Sequence, residues 1–189
     1  MTNSLKKLLL AGVLVASVSY ADSNNYTFES KSLIGIEGGY SSMDVEDAGA
    51  VTTKEKPVSA GLKIGAQTHN VRLFLSFRNM NVDSFDSAYL YGVELQYLFN
   101  FSKHANLFIG ANAGRMNISY EDALSNAYDF TTQYIGGDLG FNLHLSENLD
   151  LELGTRLITL SESEDTASSY KFGDITTSYM SLIIRYEMD

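Results

Sequence analysis

The 189-residue sequence contains no cysteine, no tryptophan and a single proline. Without cysteine the chain has no disulfide framework, no thiolate metal site and no thiol nucleophile. Pro57 stands where a connection would meet a strand, so it would not interrupt the interior of one. These absences favour a fold that closes by long, uninterrupted hydrogen-bonded ladders.

Long apolar runs are also missing beyond the first 21 residues. There, two lysines precede an apolar stretch from Leu8 to Val15 that leads to Ala21, the order of a secretory signal peptide. We expect cleavage after Ala21, leaving a short periplasmic segment over residues 22–31. Because no other segment approaches the roughly 18 apolar residues of a spanning helix, any membrane span must be made of strands.

Basic residues are scarce, with 13 Lys and Arg against 23 Asp and Glu, for a formal charge of -10. Loss of the signal peptide removes two lysines and no acid, so the formal charge becomes -12. We therefore expect no nucleic-acid ligand. The three histidines are scattered, with His69 and His104 in predicted turns, so we expect no metal site and no cofactor.

Alternation with a period of two dominates the remaining chain. Every second residue is apolar or a lone threonine along 58–68, 71–78, 88–99 and 149–159, with charges and glycines between. Successive side chains of a strand point to opposite faces, so each segment has one apolar face and one face of glycine and charge. Glycine weakens a strand, and a water-facing sheet has no reason to collect it. The pattern is typical of strands with lipid on one side.

Eight such segments predict an all-β fold, an eight-stranded antiparallel up-and-down transmembrane barrel over residues 32–189. Short and longer connections alternate, as in outer-membrane barrels with short periplasmic turns and longer external loops. Both termini are therefore expected on the periplasmic side, with acidic loops outside, the first from Met43 to Pro57. The predicted strands cover 32–42, 58–68, 71–81, 88–99, 106–119, 129–145, 149–160 and 171–186.

The face of glycine and charge is assigned to the lumen, where glycine relieves crowding. The one clear strand charge on the apolar face is Arg115. The inward glycines are Gly35, Gly39, Gly61, Gly65, Gly92, Gly110, Gly114, Gly136, Gly140 and Gly154. The predicted lumen charge network comprises Glu37, Lys63, Arg72, Arg78, Glu94, Asp138, Glu152, Arg156 and Arg185, and Asp150 shares their face.

Lumen charges must pair, because isolated buried charges are penalised by many kcal/mol. An eight-stranded barrel is just wide enough for its own side chains. The pairs therefore either plug and stiffen the lumen, or exchange partners and form a gated ion path. Cross-strand reach predicts Glu37 with Lys63 or Arg185, Glu94 with Arg72 or Arg78, and Glu152 with Arg156 or the partner of Asp138.

The last predicted strand ends in an alternating apolar series closed by an aromatic ring, formed by Met180, Leu182, Ile184 and Tyr186. This series resembles the C-terminal assembly signal of outer-membrane barrels. In pattern and length the mature chain is similar to the small eight-stranded family that includes the transmembrane domain of outer membrane protein A and outer membrane protein X. The resemblance implies a monomer in a Gram-negative outer membrane, surrounded by lipid and lipopolysaccharide and inserted by the barrel-assembly machinery.

Several functions remain open for such a barrel. We expect an envelope-structural role, at most narrow gated passage of small solutes or ions, and no catalysis. An adhesin or ligand-binding barrel acting through the acidic loops is the alternative. A lipid A-modifying enzyme is a minor alternative, because His144-Leu145-Ser146, with Glu147 or Glu152 nearby, is superficially similar to a deacylase motif.

A soluble lipocalin-like barrel is the structural rival, since it is also exported, eight-stranded and up-and-down. It should line its cavity with apolar residues and place its charges outside. The face of glycine and charge is too crowded with charge for a lipid cavity, so the sequence favours the membrane barrel.

Overall fold

The computed structural model describes residues 30–47, 51–81, 87–121, 127–161 and 170–186. The predicted signal peptide and residues 22–29 lie outside the described residues, as do residues 187–189. Within the described ranges nine strands form one antiparallel sheet. The strands are β1 (Lys31–Asp47), β2 (Val51–Glu55), β3 (Val58–Gln67), β4 (Val71–Asn81), β5 (Ser87–Asn100), β6 (Ala105–Glu121), β7 (Ala127–His144), β8 (Leu149–Leu160) and β9 (Tyr170–Tyr186).

The sheet closes into an eight-stranded barrel because β1 pairs with both β3 and β9. From β3 to β9 each strand pairs with the next one in the chain, which confirms the predicted up-and-down order. Stepping from each residue to its partner on the next strand, once around the barrel, leads from Met43 back to β1 at Leu33. The ten-residue offset between these two positions shows that the strands are tilted to the barrel axis. The path runs through Met43, Ile175, Ile158, Gly136, Asn112, Glu94, Phe74, Gly65 and Leu33.

The two ends of the barrel differ in their connections. Three short connections, 68–70, 101–104 and 145–148, lie at one end together with Lys31 and Tyr186. We call this the turn end, and it holds His69 and His104. The opposite loop end carries the connections that follow β1, β4, β6 and β8.

The prediction of a loop from Met43 to Pro57 is wrong. Strand β1 continues to Asp47 and pairs there with β2, in the same register that joins β1 to β3. Pro57 lies between β2 and β3, where its carbonyl oxygen accepts a hydrogen bond from the Ser41 N–H at 2.8 Å. Proline has no N–H to donate, so it interrupts the strand without changing its register. The result is a hairpin that extends the barrel wall at the loop end.

The outer face of the barrel is apolar. Ile36, Leu62, Leu75 and Leu157 each expose more than half of their surface, and they alternate with inward neighbours. An apolar band of this extent is unfavourable in water and matches what the hydrocarbon of a bilayer requires. The orientation is the predicted one and the reverse of a lipocalin. No helix in the described part of the chain has the length and apolar character needed to cross a membrane.

Candidate functional site

The lumen is the candidate site, because alternation brings all ten of the predicted inward charges into it. Nine of them are buried, and the Arg185 side chain is 13% exposed at the turn end. Five are acids and five are bases, so together they carry no formal net charge.

Glu37 lies at the centre of the charged region. Arg156 Nη1 donates to Glu37 Oε1 at 2.8 Å, and Arg78 Nε donates to the same oxygen at 2.7 Å. Lys63 Nζ lies 3.5 Å from Glu37 Oε2, and the Ser181 hydroxyl donates to that oxygen at 3.3 Å. Three cations therefore share one carboxylate. Their excess positive charge must be matched by further acids nearby.

Those further acids are Glu94 and Asp138. Arg78 donates to Glu94 through Nη2, and Arg156 Nη2 lies 3.4 Å from Glu94 Oε1. Arg156 Nε lies 3.4 Å from Asp138 Oδ1, and Asn112 donates to that same oxygen. Arg156 thus contacts three carboxylates, and its loss would leave all three short of positive charge.

An aromatic ring holds Arg156 in place. The guanidinium carbon lies 4.3 Å from the centroid of the Tyr179 ring, a cation–π distance. The ring passes over Gly154, where an added Cβ would lie 2.7 Å from Tyr179 Cζ. Glycine is therefore required at position 154 for the ring to reach Arg156.

A second group of charges lies toward the turn end. Lys63 Nζ donates to Glu152 Oε1 at 2.5 Å, so Lys63 links this group to Glu37. Arg72 Nη2 donates to Asp150 Oδ2 at 2.5 Å, and its Nη1 lies 3.6 Å from Glu152 Oε2. Asp150 Oδ1 also lies 3.1 Å from Arg185 Nη2. Through these shared partners the ten side chains form one connected network.

Two of the expected contacts occur, Glu37 with Lys63 and Glu94 with Arg78. The alternatives Arg185 for Glu37 and Arg72 for Glu94 are not used, and the partners expected for Glu152 are wrong, because several pairs cross the lumen between strands that are not adjacent. Glu152 on β8 reaches Lys63 on β3 and Arg72 on β4 instead of Arg156. Arg72 and Arg185, expected at Glu94 and Glu37, both contact Asp150.

The loop-end part of the lumen is apolar, and sequence reasoning missed it. These side chains have the inward parity of the charges but lie beyond them, toward the loop end of each strand. We call them the loop-end plug: Met43, Met80, Ala88, Leu90, Met116, Ile118, Tyr134, Ile158 and Ile175, each at most 3% exposed. A signal was present in the sequence, since apolar residues occupy both parities near the ends of several predicted strands.

The plug side chains pack together in the lumen on the loop-end side of the charges. The Tyr134 ring extends along the inner face of the barrel over β6 and β5. Its hydroxyl oxygen would lie 2.5 Å from a Cβ added at Gly92 and 2.7 Å from a Cβ added at Gly114. Small residues on β5 and β6 therefore admit a large ring from β7. In channels, apolar constrictions can gate ion passage by excluding water.

The residues of the deacylase-like motif lie at the turn end. His144 Nδ1 lies 2.7 Å from Asp150 Oδ1, and Nε2 lies 3.4 Å from Asn106 Nδ2. Both ring nitrogens therefore have partners other than Ser146, whose hydroxyl accepts from the Asn148 N–H at 3.3 Å. Glu152 is buried against Lys63 and Glu147 is exposed. Among the described residues no group of three His, Asp or Glu side chains is placed to hold a metal ion.

The predicted assembly series lies on the outer face of β9. Met180, Leu182, Ile184 and Tyr186 each expose between 39% and 53% of their surface. They alternate with the inward residues Ser181, Ile183 and Arg185. The series is therefore accessible from outside the barrel.

Comparison with known proteins extends the fold assignment. No protein-family model and no curated protein matches the chain. Neisserial surface protein A is 13% identical, with a TM-score of 0.60 over 82% of this chain and 97% of that one. The N-terminal β-barrel domain of Pseudomonas aeruginosa OprF is 15% identical, with a TM-score of 0.55 over 84% and 100%.

A third similar structure carries a ligand. Ail, the attachment invasion locus protein of Yersinia pestis, was solved with the heparin analogue sucrose octasulfate. It is 13% identical, with a TM-score of 0.55 over 82% of this chain and 99% of that chain. The chain thus has the fold of small eight-stranded outer-membrane β-barrels, which confirms at the level of the fold the resemblance drawn from the sequence.

Proposed function

We propose that the protein is an integral outer-membrane barrel of a Gram-negative bacterium with an envelope-structural role and a lumen closed at rest. The observation that carries this proposal is the loop-end plug, which seals a lumen already filled by paired charges. Passage of small solutes or ions would require the plug to move, and the paired charges would then line the path. The proposal includes no catalytic step.

The membrane location is supported by the outer face together with the fold. Apolar side chains face outward on β1 and on every strand from β3 to β9, and aromatic rings lie near their ends. Phe77 stacks with Tyr89 at 5.7 Å toward the loop end, and Tyr97 meets Phe99 at 5.0 Å toward the turn end. Aromatic rings at both margins of an apolar band are typical of transmembrane barrels.

Insertion into lipid vesicles tests the location. The chain lacking residues 1–21 is refolded into vesicles, and barrel formation is read from the mobility of unboiled and boiled samples on a gel. We expect the chain to stay with the vesicles after a salt wash, and we expect the vesicles to retain trapped potassium. Leu75→Arg, on the lipid face, should reduce insertion, because arginine at the bilayer midplane costs about 2–4 kcal/mol. A chain that folds to a barrel in buffer without lipid would contradict the proposal.

Assembly through the C-terminal series is part of the same proposal. Its alternating residues face outward and are accessible to a receptor that recognises an edge strand. We expect Tyr186→Ala to lower the amount of assembled barrel in cells, whereas Tyr97→Ala, also outward at the turn end, should have a smaller effect. Equal losses would contradict a special role for Tyr186.

Ligand binding at the loop end is a second candidate, favoured by the hairpin of β1 and β2. Strand β1 is flanked by β2 on one side and β9 on the other as far as Asp47, so a three-stranded extension projects from the barrel. The predicted loops are acidic, so a sulfated ligand such as that of Ail is not expected here. Loss of cell adhesion when residues 46–53 are replaced by a short turn, in a barrel that still assembles, would support this candidate.

A further inference from the structure

Arg115 is an outward strand charge that neither the lumen nor the apolar band explains. It is exposed on β6, with Tyr91 of β5 and Gln133 of β7 as its cross-strand neighbours. Neither neighbour is acidic, so among the described side chains the register gives its guanidinium no carboxylate partner on the outer face. An unpaired charge on a lipid-facing strand needs a reason.

The height of Arg115 on the barrel supplies one. On β6 the outward residues from the turn end up to Ala113 are all apolar. Arg115 comes next, and the outward residue after it, toward the loop end, is the polar Asn117. On β7 the same change occurs between Ile135 and Gln133. Arg115 therefore lies at the loop-end margin of the apolar band, where an arginine side chain extends to the level of lipid head groups at little cost.

We propose that Arg115, Tyr91 and Gln133 form a contact site for the phosphate of an outer-leaflet glycolipid of the lipid A type. This inference rests on the proposed function and on the topology expected from the sequence, in which the longer loops are external and the loop end meets the outer leaflet. The guanidinium presents a planar fork of donors that matches a phosphate, and the glutamine amide adds a further donor. Tyr91, 39% exposed, places an aromatic ring at the same margin, where tyrosine favours the boundary of apolar and polar surroundings.

Charge complementarity selects this ligand. The mature chain carries a formal charge of -12, so its surface repels anions in general. A phosphate held in the bilayer beside Arg115 is brought to the guanidinium by the lipid itself and meets no acidic cross-strand neighbour. The proposed ligand is the lipid phosphate and not free phosphate in solution.

Lipid binding by the refolded mature chain tests the site. The chain in detergent micelles is titrated with bisphosphorylated lipid A, and bound lipid is counted by native mass spectrometry. Lipid A without its phosphates is the matched ligand. We expect Arg115→Ala to weaken binding of the phosphorylated lipid about fivefold and to leave the dephosphorylated lipid unchanged. Arg115→Lys should lose less, because it keeps the charge but not the fork.

Thr176→Ala is the control, since Thr176 is an exposed outward residue on β9, a strand that pairs with β8 and β1 and not with β5, β6 or β7. It should bind both lipids as the wild type does. Equal binding of phosphorylated lipid A by Arg115→Ala and the wild type would overturn the site while leaving the barrel proposal intact. Failure of the wild type to form a lipid-dependent barrel would be a failure of the proposed function itself.

Discussion

The loop-end part of the lumen is filled by apolar side chains, whereas the part toward the turn end holds ten charges beside smaller apolar clusters. Toward the loop end, the plug packs methionine, leucine and isoleucine side chains with at most 3% exposure. Below it, five acids and five bases occupy the same inward parity and share partners across the barrel. The wall that carries both is continuous, so the difference lies in the side chains alone.

Substitutions in the plug and in the charge network should destabilise the barrel for different reasons. An apolar side chain in the plug can be shortened at the cost of its transfer free energy and of the cavity left behind. A charge in the network cannot be removed alone, because each of its partners is then buried without compensation. A single substitution in the plug should therefore cost less than the loss of one charge from the centre of the network.

The largest expected effect is at Arg156, which contacts Glu37, Glu94 and Asp138. Arg156→Met should destabilise the folded barrel by about 3–5 kcal/mol, the cost of breaking a buried ion pair on one side. Because the chain has no tryptophan, unfolding in urea is followed by the gel mobility of unboiled samples. Arg115→Met makes the same change on the outer face and should cost less than about 1 kcal/mol. Similar losses in the two variants would remove the basis of the comparison.

A smaller effect is expected in the plug. Leu90 is 1% exposed, and Leu90→Ala should cost about 2–4 kcal/mol through lost burial and a new cavity. Leu75→Ala removes the same atoms from the outer face, where the side chain is 58% exposed, and should cost less. The same urea titration measures both. A larger loss for Leu75→Ala would mean that the plug is loosely packed.

Coupling within the network is expected to be smaller again. Lys63 and Glu152 are 2.5 Å apart, so removing both should cost less than the two single losses added together. We expect Lys63→Met combined with Glu152→Gln to recover about 1–3 kcal/mol relative to additivity. Strict additivity in the urea titration would show that the two side chains act independently.

The smallest effect is expected at the turn-end margin. Arg185 is partly exposed, and its partner Asp150 also contacts Arg72, so Asp150 stays compensated when Arg185 is lost. Arg185→Gln should cost about 1 kcal/mol or less. A loss as large as that of Arg156→Met would show that the network is uniform from end to end and not centred on Glu37.

Much of the barrel wall could be predicted from the sequence. The period-two alternation located the eight barrel strands to within a few residues at most ends, and the parity of glycine and charge identified the inward face. The β2 hairpin was missed because its sequence lacks the apolar alternation, which lipid imposes only inside the bilayer. Pro57 also indicated the end of a loop, but in the structure it lies between β2 and β3, which pair with β1 in the same register.

The contents of the lumen could be predicted only in part. Parity places Glu37 and Arg156 inside, but β9 separates their strands, so a rule based on adjacent strands does not pair them. Their contact depends on the tilt and stagger of the barrel, which no local pattern encodes. The plug was missed because Met43, Met80 and Met116 lie where strands were expected to give way to loops, and the argument from parity relied on charges and glycines.

Single-channel conductance across a planar bilayer tests most directly the claim that the plug, and not the charge network, closes the lumen. The refolded wild type should be silent, Leu90→Ala with Met116→Ala should show discrete openings, and Glu94→Gln with the plug intact should remain silent. Discrete openings of the wild type, or openings of Glu94→Gln alone, would contradict the account and would place the barrier among the charges.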